Sequence, residues 1–98
     1  MSYKVIVDAE LRDLVPAYLE KRKAEVPELA RLLAEGNFDV LRSAGHKLCG
    51  SGGGYGFDKI SELGKALEAA AGAGNAAETK KLLLVLEDYL KNLEVLYQ

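Results

Sequence analysis

Apolar residues recur at helical spacing along almost the whole chain, and this pattern limits the possible folds more than any other feature. Near the C-terminus the predicted buried stripe consists of Leu82, Leu83, Leu86, Tyr89, Leu90, Leu93 and Leu96. Spacings of three and four residues are typical of one face of an amphipathic helix. Val5-Ile6-Val7 is the only β-branched run, and it is too short and isolated to predict a sheet. The chain is therefore predicted to be helical throughout.

Capping and turn residues divide this pattern into one short helix and four long ones. Asp8 is a candidate N-cap for a short helix over about residues 9–14. Asp13 is a candidate cap for the first long helix, which begins at Pro16 and continues toward Gly36. Pro27 falls inside that stretch, and we favour one helix with a kink there.

The remaining helices are separated by short glycine-containing turns. They are predicted over about residues 38–52, with Asn37 as cap, over about 57–71, and from about 76 to the C-terminus. The buried face of the third long helix is predicted to carry Phe57, Ile60, Leu63, Gly64, Leu67 and Ala71. Short loops make neighbouring helices antiparallel, so the sequence predicts an all-α, up-and-down antiparallel four-helix bundle with an additional short N-terminal helix.

Length and composition predict a single domain over residues 1–98. Thirteen basic and fifteen acidic residues give a net charge of −2, and no basic stripe interleaved with aromatic residues indicates nucleic-acid binding. The single cysteine allows no internal disulfide, which fits a reducing compartment. No apolar run is long enough to cross a bilayer and the N-terminus lacks a signal-peptide pattern, so we expect a cytoplasmic protein.

The only histidine, His46, precedes a dense glycine cluster on the second long helix. At about 100° per residue, His46 lies about a third of a turn away from the core side of this helix. Five of the seven residues from Gly50 to Gly56 are glycine, although each helical glycine costs about 0.5–1 kcal/mol relative to alanine. Access of a large partner to His46 explains Gly50 and Gly53, whereas close helix contacts explain Gly45 and Gly64. A surface histidine at a loose helix end is the alternative interpretation.

Other chemistry at this place fits the residues less well. Asp39, Ser43 and His46 share a face, but one exposed helix offers neither the buried carboxylate nor the oxyanion hole of a hydrolase triad. His46 and Cys49 are too few ligands for zinc, so no metal site is predicted. The glycine cluster follows a helix and lacks the ending of a nucleotide-binding loop. Cys49 is read as a small, half-buried apolar residue at the rim of the core.

The segment His46-Lys47-Leu48-Cys49-Gly50-Ser51, followed by glycines and a helix containing Leu67-Glu68, resembles the histidine-containing phosphotransfer (HPt) domain. The resemblance covers about residues 38–70 in detail. It implies a four-helix bundle in which His46 accepts a phosphoryl group. The family usually has lysine three residues after this histidine, where this chain has Cys49. The predicted neighbours of the phosphoryl group are then Arg42, Lys47, Cys49, Gly50 and Gly53. Either Arg42, which is the better placed, or Lys47 substitutes for the lysine, or the partner supplies all the positive charge.

The resemblance further implies a phosphocarrier in a two-component phosphorelay and not an enzyme. A neutral imidazole is a good nucleophile near pH 7, and it would take the phosphoryl group from a receiver-domain aspartate and pass it to another receiver. The partners implied are receiver domains of response regulators, with a hybrid sensor histidine kinase as a further candidate. Mg²⁺ is expected on the receiver and no cofactor on this chain, which is expected to be a monomer. The expected docking residues are Leu11, Leu14, Tyr55 and Phe57.

Two other classes of function remain open at this point. Cys49 in place of lysine favours a module that binds signalling partners without carrying phosphate. The leucine-rich last helix favours a plain helical interaction or dimerisation domain.

Overall fold

A computed structural model describes residues 2–98 as four long helices between two short strands. A single turn of 3-10 helix at Ala9–Leu11 joins the first strand to the first helix. In chain order the other elements are β1 (Tyr3–Val7), α1 (Val15–Ala34), α2 (Phe38–Gly54), α3 (Asp58–Gly72), α4 (Ala76–Lys91) and β2 (Leu93–Tyr97). The predicted four-helix bundle is confirmed.

The helices pack in a closed cycle in which α1 contacts α2, α2 contacts α3, α3 contacts α4 and α4 contacts α1. Their apolar stripes meet in one core, in which Leu41, Ile60 and Leu67 are almost completely buried. The six residues predicted for the buried face of the third long helix are all buried. Helical periodicity thus located the core side of α3 correctly, because each turn of the stripe faces the other helices.

The predicted turn chemistry is largely confirmed. The side chain of Asn37 accepts a hydrogen bond from the backbone N–H of Val40, and Asp8 accepts one from Glu10. Gly36, like Gly56 and Gly74, has a positive φ. The prediction that Asp13 caps the first long helix is wrong. Leu14 occupies that cap position without a side-chain hydrogen bond.

The first long helix is one element, as predicted, and the kink at Pro27 stays a prediction. Pro16 lies in its first turn, and Pro27 lies inside it. Proline fits the first turn because the N–H that it lacks has no partner there in any case.

The two ends of the chain form a sheet that the sequence did not predict. β1 pairs with β2 in parallel, from Tyr3 opposite Leu93 to Val7 opposite Tyr97. The prediction that the segment around Val5 builds no sheet is therefore wrong, and the last helix ends at Lys91 instead of continuing to the C-terminus. In a sheet, the backbone N–H and C=O groups of one strand bond to the neighbouring strand, whereas in a helix they bond within the same segment. β1 therefore depends on β2, which lies at the opposite end of the chain.

The strand also changes the environment of the last apolar residues. Alternate residues of a strand point to opposite faces. Leu96 lies on the outer face and is 46% exposed, so its predicted burial is wrong. Within residues 2–98, no helix is both long enough and apolar enough to span a bilayer.

Candidate functional site

A close contact between α2 and α3 sets the geometry of the site. A Cβ atom at Gly45 would lie 2.6 Å from the backbone nitrogen of Glu68 and 2.7 Å from the carbonyl oxygen of Gly64. A Cβ atom at Gly64 would overlap the backbone of Cys49. Both glycines are therefore required for the helices to approach this closely, which confirms the predicted helix–helix contact. His46 follows Gly45 directly and is held beside α3.

His46 is exposed and forms one specific contact. Its side chain is 76% exposed, and its Nδ1 lies 3.0 Å from Oε2 of Glu68, which is itself 37% exposed. An ionised carboxylate only accepts hydrogen bonds, so Nδ1 is the nitrogen that carries the proton. Nε2 then has a free lone pair, and it has no hydrogen-bond partner among residues 2–98. The arrangement presents one defined nucleophilic atom to the solvent.

Two cations share a shallow depression with this pair. The depression has a volume of about 390 Å³ and is lined by Arg42, Ser43, His46, Lys47 and Glu68. The aliphatic part of Arg42 packs at the end of α3, where a Cβ atom at Gly72 would lie 3.3 Å from its Cδ. Neither Arg42 nor Lys47 forms an ion pair with another described residue. The depression thus offers two unpaired cations to an incoming anion.

Cys49 is half-buried at the rim of the core, as predicted. Its backbone carbonyl accepts a hydrogen bond of 2.7 Å from Oγ of Ser61 on α3. Cys49 does not line the depression around His46, and neither do Gly50 and Gly53. Of the five predicted neighbours of a phosphoryl group, the structure brings only Arg42 and Lys47 to that depression.

The glycines at the end of α2 have different surroundings. Gly52 is required by packing, since a Cβ atom there would lie 2.7 Å from the backbone nitrogen of Ser61. Gly50 and Gly54 face open space, with nothing within 4 Å of an added Cβ atom. Gly53 has room for a side chain, and its N–H donates to Oγ of Ser61 at 2.7 Å. Helix packing therefore gives no reason for glycine at position 50, one turn after His46.

The predicted docking residues have different environments. Leu14 is 54% exposed, whereas Leu11 is half-buried against the core. Tyr55 is half-buried, and its ring stacks on Tyr18 with centroids 4.2 Å apart. Phe57 has no exposed surface, because it turns into the core at the start of α3. The expectation that Phe57 contacts a partner is therefore wrong.

Glu68 is the site residue that the sequence analysis did not assign. It appeared there only as part of the Leu67-Glu68 pattern, with no role attached. The sequence did contain a signal for the position of Glu68, because Gly45 and Gly64 were both predicted to lie at close helix contacts. Two helices that cross at these glycines bring residue 46 next to residue 68. Among residues 2–98, no group of three or more His, Cys, Asp or Glu side chains is placed to hold a metal ion.

Comparison with known proteins adds one finding. The family model described as Hpt domain matches residues 13–95, which include all four helices and the His46–Glu68 pair. Neither the curated proteins nor the solved structures gave a match.

Proposed function

Because the chain belongs to the Hpt domain family, whose members are phosphotransfer modules of two-component signalling, we propose that it is a histidine phosphocarrier that uses His46 as its phosphoryl acceptor. Members of this family carry phosphoryl groups and do not themselves catalyse a reaction. The observation that carries the proposal is the contact between His46 and Glu68. It leaves Nε2 of an exposed imidazole free while fixing the proton on Nδ1.

In the proposed step, the lone pair of Nε2 attacks the phosphorus of an acyl phosphate on a receiver aspartate. The P–N bond forms as the P–O bond breaks, and the electron pair of that bond leaves with the aspartate carboxylate. The ring keeps its proton on Nδ1 and becomes positively charged. Glu68 stabilises this charge through its hydrogen bond, and attack by a second receiver aspartate reverses the step.

Phosphoryl transfer depends on positioning and on neutralising the charge of the transferred group. Arg42 and Lys47 supply positive charge on this side of the complex, since both line the depression around His46. Their position compensates for Cys49, which stands where the family usually has lysine. The Mg²⁺ ion that such a step requires is proposed to arrive with the receiver domain.

The surface around His46 suits docking of a receiver domain from the solvent side. Gly50 and Gly54, which follow His46 on α2, carry no side chain and face open space. Leu14 and Tyr55 provide apolar surface, and Val40, which is 45% exposed, lies in a groove between α1 and α2 together with Lys47. We propose receiver domains as the partners, with a hybrid sensor kinase as a further one and the cytoplasm as the location.

One observation favours a second candidate function, a docking module that binds receivers without accepting phosphate. Cys49 is half-buried, and a thiol carries no positive charge, so Cys49 cannot supply the cation that lysine usually supplies at this position of the family. Such a module would bind receivers equally well with and without His46.

A transfer assay separates the two candidates. The protein is mixed with Mg²⁺ and a panel of phosphorylated receiver domains, and its intact mass is measured before and after brief acid treatment. A phosphocarrier gains one acid-labile phosphoryl group, and His46→Ala gains none. Lys59→Ala, which removes an exposed lysine outside the depression, should behave like the wild type. Receivers that bind but transfer nothing would establish the docking module instead.

A further inference from the structure

The outer surface of α4 carries charges that are arranged symmetrically about Leu84. Lys80 and Lys81 lie one turn before Leu84, and Glu87 and Asp88 lie one turn after it. All five residues are exposed, and Leu84 is 58% exposed. Lys80, Lys81 and Glu87 form no ion pair with any described residue. The bundle itself therefore leaves Lys80, Lys81 and Glu87 without ion pairs and Leu84 exposed. The carboxylate of Asp88 accepts hydrogen bonds from the Tyr3 hydroxyl and the Asn92 amide.

Helical geometry makes this surface complementary to itself. Residues seven apart lie on the same side of a helix, so Lys80 and Glu87 flank Leu84 on one side and Lys81 and Asp88 on the other. They are separated by roughly 10 Å along the helix axis, too far for pairing within one chain. An antiparallel second α4 centred on Leu84 places Lys80 beside Glu87 of the second copy. It places Lys81 beside Asp88 of the second copy in the same way.

The surface next to this stripe offers apolar area for such a contact. A groove of about 340 Å³ runs between α1 and α4 and is lined mainly by apolar residues. Leu84 lies on one of its walls and Leu33 on the other, with Lys80 and Glu87 along the rim. An apolar centre between charged rims is the usual composition of a protein–protein interface. In an antiparallel pair centred on Leu84, the two Leu84 side chains meet and the groove lies directly beside them.

We propose that the exposed face of α4 is a homodimer interface in which two α4 helices pack antiparallel about a two-fold axis at Leu84. A two-fold interface requires that one surface be complementary to itself, and the charge order lysine, leucine, carboxylate meets this requirement. This proposal departs from the monomer expected from the sequence. The His46–Glu68 pair lies on α2 and α3, across the bundle from the groove between α1 and α4. Both histidines of the dimer therefore stay accessible.

Charge reversal tests the proposal with matched variants. Sedimentation equilibrium of the wild type over roughly 10 µM to 1 mM should show the mass rising from the monomer value toward twice that value. Lys80→Glu and Glu87→Lys should each weaken self-association by about tenfold, because two symmetry-related pairs become repulsive. The double variant K80E/E87K should recover the wild-type affinity. An equimolar mixture of the two single variants should form a heterodimer for the same reason.

Lys59→Glu makes the same charge change on α3, outside the stripe, and should not alter the association. Circular dichroism checks that each variant is folded. We expect all of them to fold, because Lys80, Glu87 and Lys59 are exposed. A wild type that stays monomeric over the whole concentration range would overturn the proposal. Self-association that the single reversals leave unchanged, or that the double variant fails to restore, would assign the dimer to a different surface and overturn it equally.

Discussion

Nδ1 of His46 lies 3.0 Å from Oε2 of Glu68, and the close glycine contact between α2 and α3 holds the two residues in this position. Gly45 directly precedes the histidine, and a side chain at Gly45 would meet the backbone nitrogen of Glu68 itself. The same helix crossing therefore packs the bundle and leaves Nε2 of the imidazole facing the solvent.

Glu68 is expected to affect the transfer rate much more than stability. Glu68→Ala removes the acceptor that holds the proton on Nδ1 and stabilises the charged ring. The rate of transfer from a phosphorylated receiver should fall by about tenfold, or ~1.4 kcal/mol in activation free energy. Glu68→Gln keeps a hydrogen-bond acceptor but removes the charge, so its loss should be smaller. Unfolding midpoints should hardly change. Equal rates for all three proteins would show that the contact has no role in transfer.

The glycines of the helix crossing are expected to resist substitution. Gly45→Ala places a methyl group within 2.6 Å of the backbone of α3, which cannot move as a flexible side chain can. We expect a loss of about 1–3 kcal/mol in the free energy of unfolding, measured by urea denaturation. Gly50→Ala is the matched control on the same helix, since it meets nothing within 4 Å. It should stabilise the protein by about 0.5–1 kcal/mol.

Position 50 also tests whether the open helix surface serves access to His46. Gly50→Leu adds a large side chain one turn after the histidine, in space that is otherwise empty. The free energy of unfolding should not fall, because leucine has the higher helix propensity. The transfer rate should drop, since the leucine obstructs the approach of a receiver domain, and Gly50→Ala should have an intermediate rate. Undiminished transfer in Gly50→Leu would show that this glycine does not serve access.

Arg42 and Lys47 are expected to act together on the phosphoryl group. Each single alanine variant leaves one cation in the depression, and the double variant leaves none. The half-life of the phosphorylated protein and the transfer rate should therefore decline in the double variant by more than in either single one. A matched double substitution of Lys59 and Lys65, which lie outside the depression, is the control. Identical losses in both double variants would show that the effect comes from the overall charge of the protein and not from the position of Arg42 and Lys47.

Stability at high pH is expected to depend on Tyr89. Burial raises the pKa of its hydroxyl above 10.0, and the carboxylates of Asp58 and Glu62 raise it further. The folded state then holds this proton more tightly than the unfolded state does. This contribution is complete below pH 10 and is lost as the pH rises through the folded-state pKa. Tyr89→Phe should lessen the decline in the free energy of unfolding that begins above about pH 10, as measured by urea denaturation. An unchanged slope would refute this assignment.

The sequence predicted the parts of the fold that depend on local contacts. The start of α2 at Asn37 and the buried face of α3 follow from capping and from helical periodicity, which act over a few residues. The pairing of Gly45 with Gly64 was also accessible, because glycine destabilises a helix interior unless a neighbouring backbone must come close to it. The exposure of His46 followed from its position on the helix face.

The features that were not predicted depend on residues far apart in the sequence. β1 requires β2 from the opposite end of the chain, and no local pattern identifies that partner. Phe57 is buried because the turn before α3 points inward and sets its ring 6.2 Å from the ring of Tyr18. Glu68 is separated from His46 along the chain by the second half of α2, the following turn and most of α3. Its role depends on the register in which those helices cross.

The most direct test of this account is the site of phosphorylation on the imidazole ring. The protein is labelled with ¹⁵N in histidine, phosphorylated by a receiver domain with Mg²⁺, and examined by NMR for coupling between ³¹P and the ring nitrogens. His46 is the only histidine, so a single ring contributes to the spectrum. The account predicts coupling to Nε2, with Nδ1 protonated and hydrogen-bonded to Glu68. Phosphate on Nδ1, or on a residue other than His46, would contradict it.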